Sequence, residues 1–230
     1  MTSLIDNTDE HDDFRPLHRK EWWQSPLRLA PQLLGAHLVC GEVTLRISEV
    51  EAYDGIADPG SHAYGGITPR CETMAAHPGQ LYVYFTYGMH HGVNLVCHEV
   101  GAVGGILIRA GEVIAGQQVA RARRIAVRSQ RGVKDPGAIA PWQLARGPGN
   151  VAVALDLTRA DDGRRIADAQ GEEDSGLQLW VPRTAIDADL VGQSGRIGIR
   201  GVGGDATRYP WRWYVAGDPS VSSYRPATAG

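Results

Sequence analysis

The sequence predicts a single α+β domain with a mostly antiparallel sheet. Three observations carry this expectation. Segments with strand signatures outnumber helical segments able to cross between parallel neighbours. The 230 residues, 43% of them hydrophobic, suit one core of ordinary size. No internal repeat and no linker divides the chain into two cores.

Taken in order, residues 1–15 read as a disordered acidic tail, polar and without period, and residues 16–230 as the folded domain. Trp22, Trp23, Leu27, Leu29, Leu33 and Leu34, spread around Pro26 and Pro31, fit one or two short helices. Residues 36–53 turn to strand, with AHLVC, a turn at Gly41, and then VTLRISEVEAY. There Val43, Leu45 and Ile47 alternate with Thr44, Arg46 and Ser48, the period of a half-buried strand. Residues 54–80, rich in Gly, Pro and Asp, form a loop whose length is more often functional than idle. LYVYFTYGMHHGVNLVC then predicts two strands about a tight turn near Gly88, and ILIRAGEV (106–113) a third. A helix follows in GEVIAGQQVARARRIAV, and RGPGNVAVALDL opens another apolar segment with a Gly/Pro turn. Residues 158–175 read as a polar surface excursion, and LQLWVP, RIGIRGVGG and WRWYVAG as closing strands.

Composition excludes several classes. Mean hydropathy is −0.25, and no apolar run approaches the roughly 18 residues of a membrane-spanning helix. The opening MTSLIDNTDEHDDF is acidic and lacks the apolar stretch of a signal peptide. Cys40, Cys71 and Cys97 form no CxxC pair and leave an odd thiol. The expectation is therefore a reducing cytoplasm, with nucleoid association if the chain is bacterial, and no membrane partner. Net charge is −3, yet without residues 1–13 the chain carries 23 basic against 21 acidic groups. Of the basic residues 21 are Arg and two are Lys, compatible with phosphate contact and equally with codon bias.

Glu49 and Glu51 lie two apart on a strand, so their side chains leave one face. By themselves they fit a solvated edge. With Tyr53 on that face and His62 in the following loop they also fit an acid–base site for a ring-shaped substrate. Tyr82 and Tyr84 share a face, and Tyr87 stands beside the turn; such a cluster fits core packing or a stacking platform for bases. Arg121, Arg123, Arg124, Arg128, Arg131 and Lys134 form either a phosphate-binding patch or a solvated helix face. His90-His91 and His98-Glu99 lack metal-site spacing, and neither GAVGGI nor GVGGD has the flanks of a nucleotide-binding loop. No GxSxG is present.

Together these segments resemble the alkyladenine (3-methyladenine) DNA glycosylase family. The resemblance rests on VEAYDG (50–55), DPGSHAYGGITPR (58–70), PGQLYVYFTYGMHHGVNLV (78–96) and GGILIRAGEV (104–113). RGPGNVAVALDL (146–157), RIGI (196–199) and PWRWYVAGDPSVS (210–222) follow in the family's order, so the match covers about residues 25–224. It implies one curved antiparallel sheet surrounded by helices, similar in architecture to the formyltransferase C-terminal domain. It further implies a monomer without metal or cofactor that acts on double-stranded DNA containing a damaged purine.

By that resemblance Glu51 is the general base that activates water, and Arg109 stands near the target phosphate and the water. Tyr53, His62 and Tyr84 are pocket walls, Asn94 crowds the amino group of normal guanine, and the Ile197 backbone helps hold the water. Tyr87, with Met89, is the wedge that fills the vacated stack, and Arg121, Arg124 and Arg128 are candidate backbone contacts. Lys20 and Lys134 fall outside the pocket motifs, so no amine serves a Schiff base and a monofunctional enzyme is expected. Substrates implied are 3-methyladenine, 7-methylguanine, hypoxanthine and ethenoadenine. A non-catalytic nucleic-acid-binding module of the same fold and a nucleoside hydrolase are the competing expectations.

Overall fold

The computed structural model describes residues 13–86, 89–167 and 176–224. After β1 (Phe14–Pro16) come a 3-10 turn at Arg19–Trp22, helix α1 (Pro26–Leu29) and a second 3-10 turn at Ala30–Leu33. Ser25 accepts the Leu27 N–H, and Pro26, lacking an N–H, leaves none unsatisfied at the first helical position. The chain continues through β2 (His37–Cys40), β3 (Val43–Tyr53), β4 (Leu81–Thr86), β5 (His90–Val96) and β6 (Gly105–Ala115). Helix α2 (Gln117–Gln130), β7 (Ala145–Arg146), α3 (Pro148–Leu155), β8 (Leu177–Pro182), β9 (Val191–Ser194) and β10 (Arg212–Val215) complete it.

The strands form one open sheet in the order β1-β8-β2-β3-β6-β5-β4, every pairing between them antiparallel among the described residues. The predicted α+β class with a mostly antiparallel sheet is what the chain adopts. β3 is the spine: β6 runs along one edge, while the other edge pairs first with β2 and then, from Glu49, with β10.

Alternation divides the sheet into two faces. Val50, Ala52, Val83, Val93, Leu95, Ile106 and Ile108 point into the main core, under α2 and α3. Helix α3 supplies Val151, Ala152, Ala154 and Leu155 to that core. Burial of a side chain such as Leu155 contributes about 1.5–3 kcal/mol. The alternate residues Tyr53, Tyr82, Val96 and Leu107 form a smaller cluster on the opposite face with Ala63, Cys71 and Met74. That face carries the site.

Several expectations need correction. Phe14–Pro16 pair with β8, so order reaches two residues into the segment read as a tail; a short strand finds its partner only in three dimensions. β6 continues to Ala115, and α2 starts only after Gly116, so GEVIA is strand rather than helix. RIGI is a loop followed by a 3-10 turn at Gly201–Gly204: its fixed groups bond the Glu51 carboxylate, the Asp58 carboxylate and the Ala52 and Gly203 carbonyls rather than a strand ladder. The described part of the 158–175 segment is no idle excursion. Asp162 accepts the Val83 N–H and the Thr73 hydroxyl, Arg159 bonds the Val83 carbonyl, and Leu81 exchanges bonds with Gly163 and Arg164. This covers β4, which ends the sheet, and satisfies a row of otherwise unpaired backbone groups. No described helix is long and apolar enough to cross a membrane.

Candidate active site

Two irregularities of register shape the site. Ser48 is an extra residue on β3 between the pairs Ile47–Gly111 and Glu49–Ala110, and Arg109 is an extra residue on β6 before the pair Val50–Ile108. Such bulges re-aim side chains. Here they bring Arg109 to both carboxylates: its Nε donates to Glu49 Oε1 at 2.9 Å, and Nη1 lies 3.2 Å from Glu51 Oε1. Both carboxylates have 0% exposure, which excludes the solvated-edge alternative. Burial alone would lower the Arg109 guanidinium, but Glu51 and then Glu49 outweigh it and leave it raised.

Glu51 has two further donors. The Tyr53 hydroxyl donates to Oε2 at 2.8 Å, and the Ile197 N–H donates to Oε1 at 2.6 Å. Ile197 therefore takes part through its backbone. Burial pushes the Tyr53 phenol well above its ordinary value, so it stays a donor. The loop bearing Ile197 is anchored by Arg196, whose Nη1 and Nη2 bond the Asp58 carboxylate at 2.6 and 2.7 Å. Arg196 also lies 4.7 Å from the Tyr53 ring centroid.

Next to Tyr53, whose hydroxyl bonds Glu51, opens a cleft lined by Tyr53, Gly60, His62, Met74, Tyr82, Tyr84, Asn94 and Ile199. Tyr82 and Tyr84 stack with centroids 5.6 Å apart, and His62 meets Tyr84 edge-on at 4.5 Å. Tyr84 rests on Gly92, where an added Cβ would come within 2.6 Å of its ring. Asn94 is buried and donates from Nδ2 to the Tyr82 carbonyl at 3.0 Å.

His62 sits in a small circuit. Its Nδ1 lies 2.9 Å from the Tyr82 hydroxyl, which in turn donates to the Arg70 carbonyl at 3.2 Å. With that hydroxyl proton committed, Nδ1–H is the donor and Nε2 the acceptor, here 3.4 Å from an Arg70 guanidinium nitrogen. Burial, aided by Arg70, pushes His62 down to about 4, so the imidazole is uncharged at neutral pH.

The structure thus gathers Glu51, Arg109, Tyr53, His62, Tyr84, Asn94 and the Ile197 backbone at one place. Tyr87 lies outside the described residues. Met89 is 59% exposed at the end of the β4–β5 connection. The basic stretch differs from expectation. Arg124 is buried with a guanidinium nitrogen on the Asn150 side chain, and burial followed by Arg128 and Arg131 lowers it to about 10. An inward-facing guanidinium is not a phosphate contact, so that assignment is withdrawn. Arg121 and Arg128 bond the carbonyls of Ile139, Pro136 and Asp135, bracing the loop after α2. No group of three His, Cys, Asp or Glu that could hold a metal occurs among the described residues.

Met74, Ile199, Arg70, Asp58 and Arg196 belong to the site but were not singled out for it from the sequence, whereas Tyr82 was, as a partner of Tyr84 in a stacking platform. Asp58, Arg70, Arg196 and Ile199 do fall in DPGSHAYGGITPR and RIGI; Met74 carries no signal beyond apolarity.

A family model described as methylpurine-DNA glycosylase matches residues 21–219. A protein of Streptomyces avermitilis is 43% identical, the match covering 94% of this chain and 95% of the relative. One of Corynebacterium jeikeium is also 43% identical, with 94% and 96% covered. One of Leifsonia xyli is 40% identical, with 92% and 95% covered. Each of the three carries the name "Putative 3-methyladenine DNA glycosylase".

Proposed function

The chain belongs to the methylpurine-DNA glycosylase family, hydrolases of N-glycosidic bonds in DNA repair; from that premise we propose that it flips an alkylated or deaminated purine out of duplex DNA and excises it without lyase chemistry. The observation that carries this is the placement of Glu51, a wholly buried carboxylate with three donors at the edge of an aromatic cleft. A protein that only binds nucleic acid gains nothing from burying such a charge, which is costly unless paired.

In this reading Glu51 takes a proton from water as the water oxygen bonds to the sugar anomeric carbon. The bond from that carbon to the purine nitrogen breaks, and its electron pair leaves with the base. Arg109, with Nη1 3.2 Å from Glu51 Oε1, supplies the counter-charge to the carboxylate. The Tyr and His faces hold the base. Each contact of an aromatic face with a cationic alkylpurine contributes about 0.5–2 kcal/mol. A neutral His62 adds no repulsion. Asn94, buried at the wall, restricts the space for an exocyclic amino group. Flipping costs a few kcal/mol, and Tyr87 with Met89 offsets part of it by filling the stack. Methylated purines, hypoxanthine and ethenoadenine are the proposed substrates.

Single-turnover excision tests the reading. Duplex oligonucleotides with hypoxanthine or ethenoadenine, and methylated DNA, are incubated with wild type and Glu51→Gln, and abasic sites are revealed by alkali. Alkali-dependent cleavage by wild type alone is expected. Tight duplex binding with no excision of any lesion would leave the binding-module alternative standing.

A further inference from the structure

The buried charges form a line, Arg212–Glu49–Arg109–Glu51, that begins far from the cleft. Glu49 Oε1 accepts from Arg212 Nε at 2.6 Å and Arg109 Nε at 2.9 Å. The remaining acceptor sites take the Ser222 N–H at 3.0 Å and its hydroxyl at 2.9 Å. Arg212 is only 1% exposed and is itself held by the Ser194 hydroxyl, the Ser222 carbonyl and the Tyr214 ring. The segment around Ser222 is pinned over the β3 bulge, with Ser220 Oγ 2.7 Å from Ser48 Oγ and the Val221 carbonyl accepting from Arg146. Glu49 does not line the cleft, and its side chain bonds Arg109, Arg212 and Ser222 instead.

We infer that Glu49 is a positioning residue that, with Arg212 and Ser222, sets how much of Arg109 is available to Glu51. The inference rests on the glycosylase reading above. Arg109 is one cation shared by two anions, so a stronger hold by one weakens the hold on the other. Among the described residues Glu51 otherwise faces the Tyr53 hydroxyl and the Ile197 N–H, with Arg196 behind the Tyr53 ring. Glu49 faces Arg109, Arg212 and Ser222. Against the upward push of burial, the charges of Arg109 and Arg212 and then the hydrogen bonds from Ser222 and Arg212 hold Glu49 below the usual carboxylate range, so it competes as an anion.

The consequence has opposite signs at the two ends of the line. In Glu49→Gln, Arg109 turns wholly to Glu51 and no longer divides its charge between two carboxylates. The acid limb of the single-turnover pH profile moves down by about one pH unit or more. The plateau falls by roughly 10- to 100-fold as the carboxylate is drawn out of place. In Arg212→Gln, Glu49 claims Arg109 instead, and the limb moves up. Ser222→Ala, which removes only the hydroxyl donor, gives a smaller upward shift and serves if either charge variant fails to fold.

The experiment measures excision of hypoxanthine from duplex DNA across the acid-to-neutral range, alongside thermal melting of each variant. Limbs displaced in opposite directions support the inference. Unmoved limbs, or limbs displaced together, overturn it even where melting temperatures fall, because a merely structural role lowers stability without separating the midpoints. Wild-type protein that excises no lesion would overturn the glycosylase reading first, and this inference with it.

Discussion

Arg196 and Asp58 form a bidentate ion pair in which both side chains have 0% exposure, joining the loop before His62 to the loop that carries Ile197. The same guanidinium bonds the Ala52 and Gly203 carbonyls, so one residue ties β3 and two loops together. Because Ile197 N–H donates to Glu51, this pair supports the site at one remove. Asp58→Asn leaves a buried guanidinium without its counter-charge, which destabilises by about 3–5 kcal/mol. Urea unfolding of the purified variant measures this, and a loss under about 1 kcal/mol, the size of a surface pair, contradicts it.

Glu51→Gln keeps the side-chain shape and loses the carboxylate proposed as the base. Excision should fall by about 100- to 10,000-fold, the usual contribution of a general base. Lesion-duplex binding by fluorescence anisotropy should stay within a few fold of wild type. Near-wild-type turnover would remove Glu51 from the mechanism.

His62 supplies a pH dependence of stability. Its folded value of about 4 lies below its ordinary value of 6.5, so the unfolded chain binds the proton more readily. The contribution is therefore present above 6.5 and is lost as pH falls from 6.5 towards 4. His62→Gln should flatten the melting temperature over that window. An equally steep decline in the variant would assign the acid sensitivity to other groups.

Gly92→Ala places a methyl group against the Tyr84 ring, at 2.6 Å from its nearest carbon. The ring must tilt into the cleft, at about 1–3 kcal/mol of overpacking strain. Lesion binding should weaken while binding to undamaged duplex stays unchanged. Equal lesion affinity in the variant would show that Tyr84 does not define the cleft.

Much of this was legible along the chain. The alternation in VTLRISEVEAY and LYVYFTYG put Glu51 with Tyr53, and Tyr82 with Tyr84, on shared faces, because strand period is a local property of the backbone. The resemblance through VEAYDG, DPGSHAY and GGILIRAGEV named Glu51, His62 and Arg109 together. The basic run at 121–134 was misleading. Charge is visible in a sequence, but the side of a helix that faces a neighbour is not, and Arg124 points to Asn150.

What the sequence determined by itself was the antiparallel framework, the shared strand faces of Glu51 with Tyr53 and of Tyr82 with Tyr84, and the absence of a lysine in the pocket motifs. The first two follow from periodicity and the third from composition. Tertiary structure alone decided that Glu49 and Glu51 are buried together and share Arg109, since this depends on two bulges with no local signature. It also decided that Ser222 and Arg212 reach the same cluster from the far end of the chain. The physical reason is range. Backbone preferences act over a few residues, whereas a buried charge is stabilised by whatever partner the fold brings to it, however distant in sequence.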